Sequence, residues 1–118
     1  MAQARALIVD DHAGFRASAR TLLEDDGYEV VGEAGSAAEA LAVAEETHPD
    51  LALVDVQLPD FDGFQLAERL NALDPALQIV LTSSRDGEDY GRSVETSVAR
   101  GFVPKAELSG ERLAALLE

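Results

Sequence analysis

The 118-residue sequence predicts an α/β fold, a five-stranded parallel sheet doubly wound by helices. Three observations carry that prediction. Short apolar runs alternate along the chain with stretches of helical periodicity, the pattern of repeated strand–helix units. The apolar runs are continuous rather than alternating, as in strands covered on both faces. Hydrophobic residues make up 47% of the chain, with no repeat or low-complexity tract, so residues 1–118 are expected to form one domain around one core.

Leu7-Ile8-Val9 is the first apolar run and ends in Asp10-Asp11, giving a first strand. Over 13–25, Phe15, Ala19, Leu22 and Leu23 fall on one helical face, and Gly27 follows as a stop. Residues 28–34, with Val30-Val31 among them, read as a second strand. Ser36-Ala37-Ala38-Glu39 fits a capping box, in which the serine hydroxyl and the glutamate each accept from the other's backbone amide. That helix ends at His48-Pro49. Residues 51–54 are a third strand closing on Asp55. Over 62–74, Phe64, Leu66, Ala67, Leu70 and Leu73 keep helical spacing before Pro75, and Asp60-Phe61-Asp62-Gly63 reads as a turn plus a helix cap. Residues 77–81 are a fourth strand, followed by Thr82, Ser83 and Ser84. A fourth helix is expected over 86–100, weakened by Gly87 and Gly91, each costing about 1 kcal/mol against Ala. Phe102-Val103 is a short fifth strand ending near Lys105. Ser109 caps a last helix with Leu113, Leu116 and Leu117 inward.

Acids number 23 against 9 bases, for a net charge of −14. Such a chain is not expected to bind nucleic acid or an anionic membrane unaided, because phosphate binding draws on Lys and Arg. Cysteine is absent, which removes disulfides, thiolate metal sites and thiol nucleophiles. No apolar run approaches the roughly 20 residues of a membrane span. The run from Ala6 to Val9 meets Asp10 too soon to be the core of a signal peptide. A cytoplasmic, stand-alone domain is the expectation.

In doubly wound sheets the site lies at the carboxyl ends of the strands. Those ends carry Asp10-Asp11, Asp55, Thr82-Ser83 and Lys105, the only lysine in the chain. Three crowded carboxylates stay ionised only with a cation among them. Hard oxygen ligands suit Mg²⁺. A carboxylate beside a metal and an ammonium is a competent nucleophile toward a phosphoryl group. The plainer reading of Asp10-Asp11 is a cap on the following helix. His12 reads as polar surface rather than a metal ligand, and Glu45-Glu46 and Asp25-Asp26 as a solvated face. The glycines form no Rossmann or Walker fingerprint, and there is no nucleophile elbow.

Four pieces stand in order: Leu7-Ile8-Val9-Asp10-Asp11-His12, Asp55-Val56-Gln57-Leu58-Pro59-Asp60-Phe61-Asp62-Gly63, Val80-Leu81-Thr82 and Phe102-Val103-Pro104-Lys105. Together they resemble the receiver domain of two-component response regulators, from Leu7 to the last helix. The resemblance implies a flavodoxin-like (βα)5 sheet of strand order 2-1-3-4-5. It implies that Asp55 accepts a phosphoryl group from the phosphohistidine of a sensor histidine kinase or a phosphotransfer protein. Mg²⁺ would be held by Asp10, Asp11, Asp55 and the backbone carbonyl of Gln57. Thr82 and Lys105 would meet phosphoryl oxygens, and Thr82 and Phe102 would form a switch pair. Ser83 is the alternative to Thr82, which directly follows Ile79-Val80-Leu81. Residues 85–102 are the segment expected to move. A downstream protein or a second copy would bind the face of the fourth and last helices.

Three features depart from the family. Ala106 stands where many members have proline, Val98 where many have glycine, and the spacing between the fourth and fifth strands is slightly unusual. Two other functions compete: a Mg²⁺-dependent phosphotransferase or phosphatase on the same fold, and a receiver-like interaction module that works without phosphorylation. A haloacid-dehalogenase-type enzyme needs an acid two residues after its nucleophile, which neither Asp55-Val56-Gln57 nor Asp10-Asp11-His12 supplies. The set Asp10, Asp11, Asp55, Thr82 and Lys105 favours a signalling switch that catalyses only its own phosphorylation and dephosphorylation.

Overall fold

Residues buried on both sides of a pleated strand segregate by parity, and this chain builds two cores that way. The computed structural model describes residues 4–84 and 97–117. Its elements are β1 (Arg5–Val9), α1 (Ala13–Asp25), β2 (Glu29–Ala34), α2 (Ala37–Thr47) and β3 (Leu51–Asp55), then α3 (Gly63–Leu73), β4 (Gln78–Ser83), β5 (Gly101–Pro104) and α4 (Gly110–Leu117). All strand pairs are parallel, in the order β2-β1-β3-β4-β5. This is the order that the resemblance implied.

Leu7, Val9, Ala52, Val54, Ile79 and Leu81 line one face, under Ala40 and Ala44 of α2 and Leu66, Ala67 and Leu70 of α3. Ala6, Ile8, Leu51, Leu53, Val80 and Val103 line the other, under Ala19 and Leu23 of α1 and Leu113 of α4. Successive side chains point to opposite faces, so each apolar run feeds both cores.

The helix starts differ in detail from expectation. Ser36 caps α2 and its hydroxyl accepts from the Glu39 amide at 3.2 Å. The Glu39 carboxylate returns to the Gly35 amide at 3.0 Å, one residue before the cap. The other free amides of that first turn are met from outside the helix. Asp60 accepts from Ala37 N–H at 2.8 Å and from Ala38 N–H at 3.1 Å. Asp62 caps α3 as expected, accepting from Phe64 N–H at 2.7 Å. Ser109 accepts from the Arg112 amide at 3.1 Å at the start of α4.

Thr82 and Ser83 belong to β4 rather than following it. Lys105–Glu107 form a 3-10 turn. Of the helix expected over 86–100, residues 97–100 are bends, because Arg100 N–H already turns to Ile79 C=O at 2.7 Å to start the β5 pairing. The remainder of that expectation lies outside the described residues. Among the described residues no helix is long and apolar enough to cross a membrane.

The β3–α3 loop is pressed against the end of β3. Gly63 N–H donates to Val56 C=O at 2.7 Å. A Cβ on Gly63 would lie 2.3 Å from the Asp55 carbonyl oxygen and 2.7 Å from Val56 Cα. Both are backbone atoms and cannot rotate away. Gly63→Ala is therefore expected to destabilise the fold by roughly 1–3 kcal/mol, read from the denaturant midpoint. An unchanged midpoint would contradict this packing.

Candidate functional site

The sheet register brings the strand ends together. Ile8, Leu53, Val80 and Val103 all lie on the face covered by α1 and α4. Two residues further along each strand stand Asp10, Asp55, Thr82 and Lys105. Within β3 and β4 a step of two preserves the face, so Asp55 and Thr82 share one rim; Asp10 and Lys105, just past the ends of β1 and β5, join it through the Lys105 ion pairs. Asp55 pairs with Thr82 across β3 and β4, and Thr82 with Val103 across β4 and β5. Ser83 falls one step on, with the parity of Ile79 and Leu81, and so takes the opposite face.

Two carboxylates of the rim are buried, Asp10 completely and Asp55 to 4% exposure. One ammonium serves both. Lys105 Nζ lies 2.6 Å from Asp10 Oδ2 and 3.4 Å from Asp55 Oδ2. Asp10 Oδ1 accepts from the His12 amide at 2.8 Å, and Asp55 Oδ1 from the Gln57 amide at 3.2 Å. The N-cap of α1 is His12, with no side-chain cap bond, so capping by Asp10 or Asp11 is not what the structure shows. Arg16 of α1 donates to the Asp10 carbonyl and pairs with Glu33 of β2 at 3.2 Å.

Burial raises the Asp55 carboxyl above its usual range, and the Asp10 charge adds to that. The Gln57 amide and Lys105 pull it back. Asp60, on the surface, is held below the usual range by the Ala37 and Ala38 amides that it accepts from.

Asp11 is exposed and sits beside this pair. Ligand atoms of Asp10, Asp11, His12 and Asp55 all lie within 4.8 Å of one another. His12 Nδ1 is 3.0 Å from Asp10 Oδ1 and 3.1 Å from Asp11 Oδ1, with the ring largely exposed as expected of polar surface. The donors are mainly hard oxygens. The buried Asp10 Oδ2 has an ion-pair contact with Lys105 but takes no aligned hydrogen bond. That set fits a hard divalent cation. Gln57 reaches the site through its amide, and Phe102 is half-buried against the core beneath α2 and α3.

Sequence reasoning missed two residues. Phe15 of α1 stacks on Lys105, with Nζ 4.6 Å from the ring centroid. Its helical spacing marks only a core position. Asp60 caps a helix distant in sequence, which no local pattern signals. His12, expected as polar surface, is 68% exposed, with its ring set against Asp10 and Asp11. A further pocket of about 170 Å³, between α2 and the β3–α3 loop, is lined by Ala37, Ala38, Leu41, Asp60, Phe61 and Arg69 and includes none of the rim carboxylates.

A carboxyl raised on folding keeps its proton to higher pH in the native state than in the unfolded one. Stability therefore falls as pH rises through that window, and above it ionised Asp55 is a net cost. In metal-free buffer Asp55→Asn is expected to be more stable than wild type at neutral pH. The gap should close as pH drops below the window. A variant less stable than wild type at neutral pH would contradict the desolvation of Asp55.

The family described as the response regulator receiver domain matches residues 6–118. The transcriptional regulatory protein PdtaR of Mycobacterium tuberculosis is 42% identical over 117 residues, covering 92% of this chain and 57% of PdtaR. The DNA-binding transcriptional activator DevR/DosR of the same organism is 36% identical over 111 residues, covering 93% of this chain and 51% of that protein. The chain spans about half the length of the curated relatives it matches. The crystal structure of a two-component response regulator of the LuxR family from Aurantimonas superposes with a TM-score of 0.85 at 32% identity, covering 98% of this chain and 86% of that one. Sequence and fold agree over nearly the whole length, and the chain belongs to the response regulator receiver domain family.

Proposed function

We propose that residues 1–118 form one phosphoacceptor domain whose acceptor is Asp55. Membership of the family makes the chain a phosphorylation-activated signalling switch rather than a metabolic enzyme. The observation that supports Asp55 is the shared ammonium: two buried carboxylates on one rim, with Lys105 between them. In this reading an Asp55 carboxylate oxygen attacks the phosphorus of a phosphohistidine on a sensor kinase or phosphotransfer protein. A P–O bond forms, the P–N bond breaks, and the imidazole leaves with the electron pair and takes up a proton.

Asp10, Asp11, Asp55 and the Gln57 carbonyl would hold Mg²⁺. Bound there, the metal supplies charge neutralisation for the phosphoryl oxygens. Lys105 is close enough to Asp55 to pair with a phosphoryl oxygen of the product. Thr82, opposite Asp55 in the register, would donate its hydroxyl to another. A phosphoryl group brings a charge of about −2. Thr82 moving toward it and Phe102 turning inward would carry that change to the face of α4 and the preceding segment. There a downstream protein or a second copy would bind. Residues 85–96 of that face lie outside the described residues. With its charge of −14, the domain itself would not bind nucleic acid, and it would act in the cytoplasm.

Incubation with Mg²⁺ and acetyl phosphate should give one acid-stable, base-labile phosphoryl group per chain, and none in Asp55→Asn. Uptake by Asp55→Asn at the wild-type rate would remove Asp55 from this role. Turnover without an adduct would mark an enzyme instead. Mg²⁺ at about ten times its dissociation constant should add about 1.4 kcal/mol of stability. Asp11→Asn should weaken that response about tenfold or more in concentration. An Asp11→Asn protein with the wild-type response would mean that Asp11 holds no metal.

A further inference from the structure

The carboxylates account for the charge on Lys105 but not for its direction. Lysine ends in a compact ammonium on a flexible four-carbon stem, and ion pairing alone leaves its angle loose. Here the stem is enclosed, with the side chain 14% exposed. The ammonium has a third neighbour besides Asp10 Oδ2 at 2.6 Å and Asp55 Oδ2 at 3.4 Å. That neighbour is the face of Phe15, 4.6 Å from Nζ to the ring centroid. An aromatic face attracts a cation within about 6 Å, and more strongly where water is excluded. Phe15 lies in the first turn of α1, immediately after the Asp10-Asp11-His12 segment, so the helix that follows the metal-site acids also supplies this ring.

We propose that Phe15 is a positioning residue for phosphoryl transfer, its ring holding the Lys105 ammonium beside Asp10 and Asp55. The proposal rests on the reading of Asp55 as phosphoacceptor. A purely structural role makes a different prediction. Phe15 packs against the core that contains Ile8, Val103 and Leu113. Leucine or methionine at position 15 would keep an apolar side chain there but offer no π-face. Tyrosine would keep both.

Because Lys105 is the only lysine, the test gives a single signal. The full chain labelled with ¹³C at lysine Cε has one side-chain Hε resonance. In wild type the ring current should move it upfield of free lysine. Phe15→Leu and Phe15→Met should abolish that shift and Phe15→Tyr should keep it. Phosphorylation of Asp55 by acetyl phosphate at saturating Mg²⁺ should slow about three- to tenfold in Phe15→Leu and Phe15→Met, and recover in Phe15→Tyr. The same Hε position in wild type and Phe15→Leu would overturn the proposal, because the ring is then not on the ammonium. A retained ring-current pattern with equal rates in all four proteins would overturn the positioning role. Equal loss of rate in the tyrosine and leucine variants would reduce Phe15 to packing. A wild type with the upfield signal but no phosphoryl uptake would overturn the phosphoacceptor reading, and the positioning role with it.

Discussion

Two carboxylates buried at the carboxyl edge of a parallel sheet share one ammonium, and the arrangement of the rim follows from that. Removing an ion from water costs several kcal/mol even after relaxation, so two carboxylates buried this close need a cationic partner. Lys105 partners both, at 2.6 and 3.4 Å. One positive charge does not cancel two negative ones. Burial, with the Asp10 charge adding to it, leaves the Asp55 carboxyl raised even with Lys105 beside it. A divalent cation held there would complete the balance.

The rest of the fold holds these groups still. The parallel register sets Asp55 opposite Thr82, and the Val56 amide donates to the Thr82 carbonyl at 2.9 Å. Gly63 lets the β3–α3 loop lie on the Asp55 carbonyl, and Asp60 in that loop ties it to the first turn of α2. On the other side Arg16 fastens the Asp10 backbone to α1 and β2. The groups at the rim are thus fixed by both helical layers, which suits preorganised charge stabilisation.

Much of this was legible in the sequence. Continuous runs such as residues 51–54, bounded by turn residues, suit strands covered on both sides, and the helical spacing of Phe15, Ala19, Leu22 and Leu23 before Gly27 marked α1. The acids and Lys105 were legible as strand-end residues because chemistry-bearing groups interrupt apolar runs there. What the sequence did not reveal depends on register and on distant partners. Thr82 and Ser83 differ by a single step, and only the pairing of β3 with β4 separates their faces. Asp60 looked like part of a local turn, yet its amide donors lie more than twenty residues earlier. Phe15 looked like any apolar helix position, since an aromatic ring stacked on a cation has the same spacing as one packed in a core.

The shared ammonium is tested most directly by a double-mutant cycle on Asp10 and Lys105, with stability measured by denaturant titration in metal-free buffer. Lys105→Met alone should cost about 3–5 kcal/mol, because it leaves buried carboxylates uncompensated. Adding Asp10→Asn should recover much of that loss, giving a coupling of about 2 kcal/mol or more. Costs that simply add, to within about 0.5 kcal/mol, would show that the two groups do not depend on each other and would contradict the account.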